Sequence, residues 1–234
     1  PPAARQRRQA QGEGASLGKL LRRPESRYVL PFMYLFGFSG ALFNSLISVF
    51  LVDRGFSLTE IGIILPIATF LGIGGGALLT PIFVSRWGLQ GAAVIGIATL
   101  PIEGLIFAWF ATSATLPPVA AMIPILALLN FTTSIYTFAV NNSRYRWASK
   151  AQAATEFSMQ SSIWNGGGWT AGTVAGFLAA WLGWMTFFVL VAAIGTATAV
   201  VYVVMFKRVE ALVEERDRLE NLSAEDGDIY SLKT

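Results

Sequence analysis

"TEIGIILPIATFLGIGGGALLTPIFVSRWGLQGAAVIGIATLPIEGLIFAWFA", Thr59 to Ala111, consists of two apolar runs divided by the short segment "SRWGLQG". The charged residues inside it are Glu60, Arg86 and Glu103. Each run is about 20 residues long, enough to cross the hydrocarbon core of a bilayer as helix. Membrane-crossing β-strands would need about ten residues of strict apolar–polar alternation, and no such stretch occurs. The segment therefore predicts two membrane helices, about 59–84 and 91–111, joined by a tight loop at Arg86.

The pattern continues on both sides. Further spans are expected at about 28–52, 118–140, 153–182 and 184–206, so the predicted fold is all-α: a polytopic membrane protein with six transmembrane helices. A basic head (1–27) and a charged tail (207–234) flank this bundle. The head reads as a linker followed by a short interfacial helix carrying Leu17, Leu20 and Leu21, and the tail as a charged helix giving way to disorder after Asn221. Composition agrees with a membrane chain: 54% of residues are hydrophobic and 13% charged, against about 25% charged in a soluble domain.

The chain has neither Cys nor His. Disulfides, thiol chemistry, His/Cys metal sites and His-based catalysis are thereby excluded, and no cofactor, metal or enzymatic activity is expected. The net charge of +3 does not point to nucleic acid, because the basic residues border apolar spans. Sixteen of the 17 Lys and Arg residues fall in the head, the second-to-third loop, the fourth-to-fifth loop and the tail; Arg54 stands alone on the other side. This asymmetry predicts that both termini are cytoplasmic. The chain opens on Pro1 and not Met, which leaves two readings open: a piece of a longer protein, or a half-size protein that pairs with a second half or with itself.

Several polar residues fall where lipid would disfavour them. Glu103 lies about midway along the third span among Ile102, Leu105, Ile106 and Phe107. A carboxylate in hydrocarbon costs a few kcal/mol, whereas the neutral acid costs far less, so Glu103 is a candidate proton carrier. The alternative is a neutral acid bonded to a neighbouring helix, since no buried Lys or Arg is expected to pair with it. Asn44 and Ser45 sit near the middle of the first span. The fourth carries Asn130, Thr132, Thr133, Ser134 and Tyr136. In the fifth, Gln152, Glu156 and Gln160 share a face that Ser161 and Asn165 continue inward. Asn44, Asn130, Tyr136, Glu156, Gln160 and Asn165 are therefore candidate substrate-lining residues. Small residues four apart, Gly72, Gly76 and Thr80 in the second span and Gly168, Gly172, Gly176 and Ala180 in the fifth, predict close helix packing. The runs Gly74–Gly76 and Gly166–Gly168 are candidate hinges.

The loop "TPIFVSRWGLQGA" resembles the G-x-x-x-D-R-x-G-R-R loop between the second and third helices of each half of major facilitator superfamily transporters. Arg86 and Gly88 remain as candidate gate residues; Ser85 stands in place of Asp and Leu89-Gln90 in place of the basic pair. The stretch "SRYRWASKAQAATEFSMQSSIWNGGGWTAGTVAGFLAAWLGW" resembles the eleventh-helix region of the rhizobactin and pyochelin siderophore permeases and, more distantly, of muropeptide permeases. Thr155-Glu156-Phe157, Gln160-Ser161, Ala175-Gly176, Leu178-Ala179 and Leu182-Gly183 carry that likeness, with Glu156 replacing the more usual Asp. "FLVDRGFSLTEIGII", Phe50–Ile64, is similar to the stretch linking their seventh and eighth helices. The resemblance implies the C-terminal six-helix half of a major facilitator in the bacterial inner membrane. It implies proton-coupled symport of a medium-sized polar solute by alternating access, with an N-terminal half as partner. Two rival readings are a non-transporting membrane partner subunit and an integral membrane enzyme, although no paired acids stand in a catalytic motif.

Overall fold

The computed structural model describes Gly18 and residues 21–149 and 152–231, with side chains as far as residue 219. Seven α-helices follow in order: α1 (Ser26–Asn44), α2 (Ile47–Asp53), α3 (Leu58–Ile97), α4 (Thr99–Thr112), α5 (Val119–Trp147), α6 (Ala153–Leu182) and α7 (Trp184–Ser231). There is no strand among the described residues. Four helical stretches are long and apolar enough to cross a membrane: Ser26–Asp53, Leu58–Thr112, Val119–Trp147 and Trp184–Leu219. The predicted span at 153–182 is a helix of 30 residues, long enough to cross, but Glu156, Gln160, Asn165 and its serines and glycines make it less apolar than those four.

The stretch Leu58–Thr112 has 55 residues and would measure about 80 Å as one straight helix, far beyond a hydrocarbon core of about 30 Å. It reverses at Gly88, whose φ of 70° and ψ of 174° are non-helical and in the left-handed range of φ that glycine tolerates without penalty. Packing against α5 records the reversal. Gly72 and Gly76 abut Asn130 and Ser134, whereas Gly96 abuts Tyr136. Glycines twenty positions apart in α3 thus meet nearly the same level of α5, which requires two antiparallel arms. The loop expected at Arg86 is where the chain turns.

The first arm starts with a capping box. The Ser57 hydroxyl accepts from the Glu60 N–H, and the Glu60 carboxylate accepts from the Ser57 N–H at 2.8 Å, satisfying two otherwise orphan donors. At the same end Arg54 donates to the carbonyls of Phe110 (2.9 Å) and Ser113, which closes the end of α4. Trp184 Nε1 donates to Asp53 at 2.9 Å. The loops after α2, after α4 and before α7 therefore share one end of the bundle.

Other pairs approach as closely. A Cβ on Gly37 would collide with Trp164 and one on Gly167 with the Tyr34 carbonyl, locking α1 to α6. A Cβ on Gly104 would lie 2.6 Å from the Ala192 nitrogen, locking α4 to α7. The second predicted small-residue stripe packs only at its start: a Cβ on Gly168 would lie 3.6 Å from Ala41, whereas one on Gly172 or Gly176 would meet nothing within 4 Å. Gly167, outside that stripe, makes the close approach. Neither glycine run breaks its helix: α3 departs from helical geometry at Gly88 alone, and α6 is continuous.

The first predicted span is two helices, broken at Ser45–Leu46, where Leu46 takes φ −116° and ψ 1°. The third predicted span begins in the second arm of α3, is interrupted at Ala98, and continues as α4. α7 runs as backbone helix to Ser231, past Asn221, where composition alone predicts disorder. Leu17, Leu20 and Lys150 lie outside the described residues.

Two apolar clusters occupy the interior. One gathers Phe43, Phe50, Phe107, Phe187 and Phe188 toward the Arg54 end. The other gathers Phe32, Phe36, Ala92, Ala139, Tyr202 and Phe206 toward the opposite end. Replacing Gly104 by Val drives a side chain into the backbone of α7 and should cost about 1–3 kcal/mol. It should lower the thermal unfolding midpoint of the detergent-solubilised protein, whereas Gly172→Ala, with open space for its methyl in a helix interior, should hold it or raise it slightly.

Candidate functional site

The break at Ser45–Leu46 frees carbonyls that a continuous helix would have used. Asn44 Nδ2 donates to Gly40 O at 2.9 Å and Ser45 Oγ to Leu42 O at 3.2 Å. The Ser45 bond serves a carbonyl at the interruption, whereas the Asn44 bond ties its amide back onto the last turn of α1; Asn44 borders a cavity. Asn130 behaves alike on α5, with Nδ2 donating to Leu126 O at 2.9 Å. A cavity of about 230 Å³ lies between these helices, its polar lining made by Asn44, Thr69, Glu103, Asn130 and Thr133. Phe43, Ile47, Leu65, Leu126 and Leu129 supply its apolar walls.

Asn44 and Thr133 also line a second cavity, of about 290 Å³, which continues toward α6. Its other polar groups are Tyr136, Thr137 and Asn165, beside the aromatic rings of Phe36, Trp164 and Trp169. The glycines Gly37, Gly40 and Gly168 keep its α1 and α6 walls low. The two volumes share Asn44 and Thr133, so they adjoin, and polar side chains of α1, α3, α4, α5 and α6 border them.

Glu103 is 3% exposed. The Thr133 hydroxyl donates to its Oε1 at 3.3 Å, and Glu103 forms no ion pair among the described residues. A carboxyl group facing a cavity, held by one neutral donor and no cation, can exchange a proton with whatever water or solute fills that cavity.

Of the sequence-predicted lining residues, Asn44, Asn130, Tyr136 and Asn165 border the cavities together with Glu103. Glu156 and Gln160 do not. Both are 5% exposed at the end of the bundle opposite Arg54, engaged with other protein groups. Glu156 pairs with Arg23 and accepts from Ser149, Oγ at 2.6 Å and N–H at 3.1 Å. Gln160 Oε1 accepts from Arg144 Nε at 3.1 Å. Arg86 lies on the surface two residues before the turn, its guanidinium 5.7 Å from the Trp87 ring centre. Gly88 makes the turn itself, with nothing within 4 Å of a Cβ built there.

Charge density along the sequence hid Arg144. It reads as one of several loop arginines, yet it is 1% exposed. Its guanidinium donates to Gln160, to Asn141 Oδ1 (2.8 Å), to Phe157 O (3.1 Å) and to Ser161 Oγ (2.6 Å). It also lies 4.2 Å from the centre of the Phe157 ring and 5.5 Å from that of Trp164. So the bundle does hold a buried arginine, against the sequence-based expectation. It stands eleven residues beyond Thr133 on α5, about 16 Å of helix, and its partners are on α5 and α6, not Glu103. The available signal was periodicity: Tyr136, Val140 and Arg144 are four apart on one buried face. Thr69 and Trp164 carried no such signal.

No protein-family model matches the chain.

Arg144 should be structural at this position. Arg144→Leu leaves four acceptors of α5 and α6 without their donor, at about 1–3 kcal/mol for each that stays dry. Arg144→Lys keeps the charge without the planar fork. Both should lower the unfolding midpoint in detergent, Leu more than Lys; an unchanged midpoint for Arg144→Leu would contradict this reading.

Proposed function

We propose that the chain is the C-terminal half of a secondary active transporter of the major facilitator type. In this reading the bundle makes six passes, with the two arms around Gly88 counted separately and α6 as the fifth. The observation that carries the proposal is the pair of adjoining cavities with Asn44 and Thr133 as common wall and Glu103 at one side. A carboxyl group and amides lining a hollow between membrane helices are expensive unless something polar uses the hollow. A broken helix bordering it is a feature of solute sites near mid-membrane.

The solute is a medium-sized polar molecule, a siderophore or muropeptide by the resemblance of the fifth span. It binds against a second six-helix half, contributed by the same longer chain or by another subunit. Asn44, Asn130, Tyr136 and Asn165 offer amide and hydroxyl contacts. Glu103 exchanges the coupling proton, and Thr133 orients its carboxyl group. Glu156 and Gln160 act at a distance from the solute, in the polar cluster that ties α6 to Arg23 and Arg144. The turn at Arg86 and Gly88 stands at that same end and gates it. That end carries most of the basic residues and, by the positive-inside bias, faces the cytoplasm of a cell whose inner membrane holds the protein.

The test uses cells expressing the natural full-length protein, screened for uptake of ferric siderophores and muropeptides with and without a proton gradient. Glu103→Gln keeps size, polarity and the bond from Thr133 while removing the exchangeable acid. It is expected to abolish gradient-driven accumulation while leaving the amount of protein in the membrane intact. Unchanged accumulation in the Gln variant would end the proton-coupling role, and absence of transport for every solute would favour a non-transporting partner subunit.

A further inference from the structure

A third cavity, of about 410 Å³, lies on the outside of the bundle between α1 and α7. On the α1 side Tyr28, Pro31, Phe32 and Leu35 line it; on the α7 side Val200, Val201, Val204 and Met205 do. Its mouth is formed by Arg27 and Arg208. The two helices are in register here, because the rings of Phe32 and Tyr202 meet at 5.4 Å between centroids. Arg27 is five residues before Phe32 and Arg208 six after Tyr202, so both guanidinium groups stand at one level, where the helices leave the apolar zone. From Val200 to Arg208 the groove runs about 12 Å along the helix axis.

Neither arginine forms an ion pair among the described residues. Others at the same end do: Arg23 with Glu156, Arg146 with Glu210, and Arg216 with Glu25 and Asp217. Val200 is 58% and Val204 56% exposed, so no described element covers the groove. An uncovered apolar trough, ending in two uncompensated cations at interface depth, complements a molecule with an apolar chain and an anionic head.

We infer that this groove binds one anionic phospholipid. An acyl chain lies between Phe32 and Val204, and the headgroup phosphate sits between Arg27 and Arg208. Basic pockets between membrane helices on the positively charged side recognise anionic headgroups by this chemistry. The site is separate from the internal cavities: it shares no lining residue with either.

The experiment is native mass spectrometry of the delipidated full chain in detergent. The chain is offered an equimolar mixture of phosphatidylglycerol and phosphatidylcholine with identical acyl chains. One phosphatidylglycerol per chain is expected, retained over phosphatidylcholine by about tenfold. The double variant Arg27→Gln/Arg208→Gln should lose that preference and still bind either lipid weakly. Both side chains are exposed, so the fold should tolerate the change. Lys207→Gln, one position along the same helix and outside the groove, should keep the preference. Val204→Trp should fill the trough and reduce retention of both lipids. Equal retention of the two lipids by the native chain would overturn the inference. So would a preference that survives the double variant, one that Lys207→Gln also abolishes, or displacement of the lipid by millimolar inorganic phosphate alone.

Discussion

In hydrocarbon a backbone N–H or C=O without a partner costs several kcal/mol, and the break in the first membrane stretch lies under that constraint. Between Ser26 and Asp53 the helix is interrupted once, at Ser45–Leu46. The side chains at the interruption, Asn44 and Ser45, take up the carbonyls of Gly40 and Leu42. The Ser45 bond meets a carbonyl that the break leaves, and Asn44, the last residue of α1, borders the cavity beside Thr133 and Asn130.

Glycine fixes where the walls of the cavities stand. α5 is held on two sides by the arms of α3 through Gly72, Gly76 and Gly96, and α1 is held to α6 through Gly37 and Gly167. These approaches leave no room for side chains, so the distances between helices are set by backbone. Gly40 and Gly168 border the second cavity, beside the polar groups of α5 and α6. At the end opposite Arg54, α6 is bound differently. Arg144 and Glu156 attach its first turns to α5, to the α5–α6 loop and to the segment before α1. The face bearing Gly172, Gly176, Phe177 and Trp181 has no such attachment; Phe177 is 79% and Trp181 83% exposed.

Helix class and the turn at Gly88 were legible because they depend on local chemistry: apolar run length, and a glycine beside a charged residue between two runs. The polar positions Asn44, Asn130, Tyr136 and Asn165 were legible because an amide or phenol in an apolar span is conspicuous wherever it points. Which way each one points is a tertiary matter. Glu156 and Gln160 share a face with Asn165, yet the fold brings Arg23, Ser149 and Arg144 to them, and those residues lie far away in sequence or look like ordinary loop charges. The stripe at Gly172 and Gly176 failed for a related reason. Spacing marks a surface capable of close packing and says nothing about which neighbour arrives; here α1 arrives one residue to the side, at Gly167.

The central claim is that the space around Asn44, Thr133 and Glu103 is a water-accessible passage and not a sealed packing defect. The chain contains no cysteine, so a single one introduced at Thr133 would be the sole thiol. With the protein in sealed vesicles, the reaction of Thr133→Cys with a small membrane-impermeant thiosulfonate should proceed, at a rate between those of Ser57→Cys at the bundle end and Phe107→Cys in the core. A Thr133 thiol as unreactive as the Phe107 one, while Ser57→Cys is modified readily, would contradict the passage and with it the transport reading.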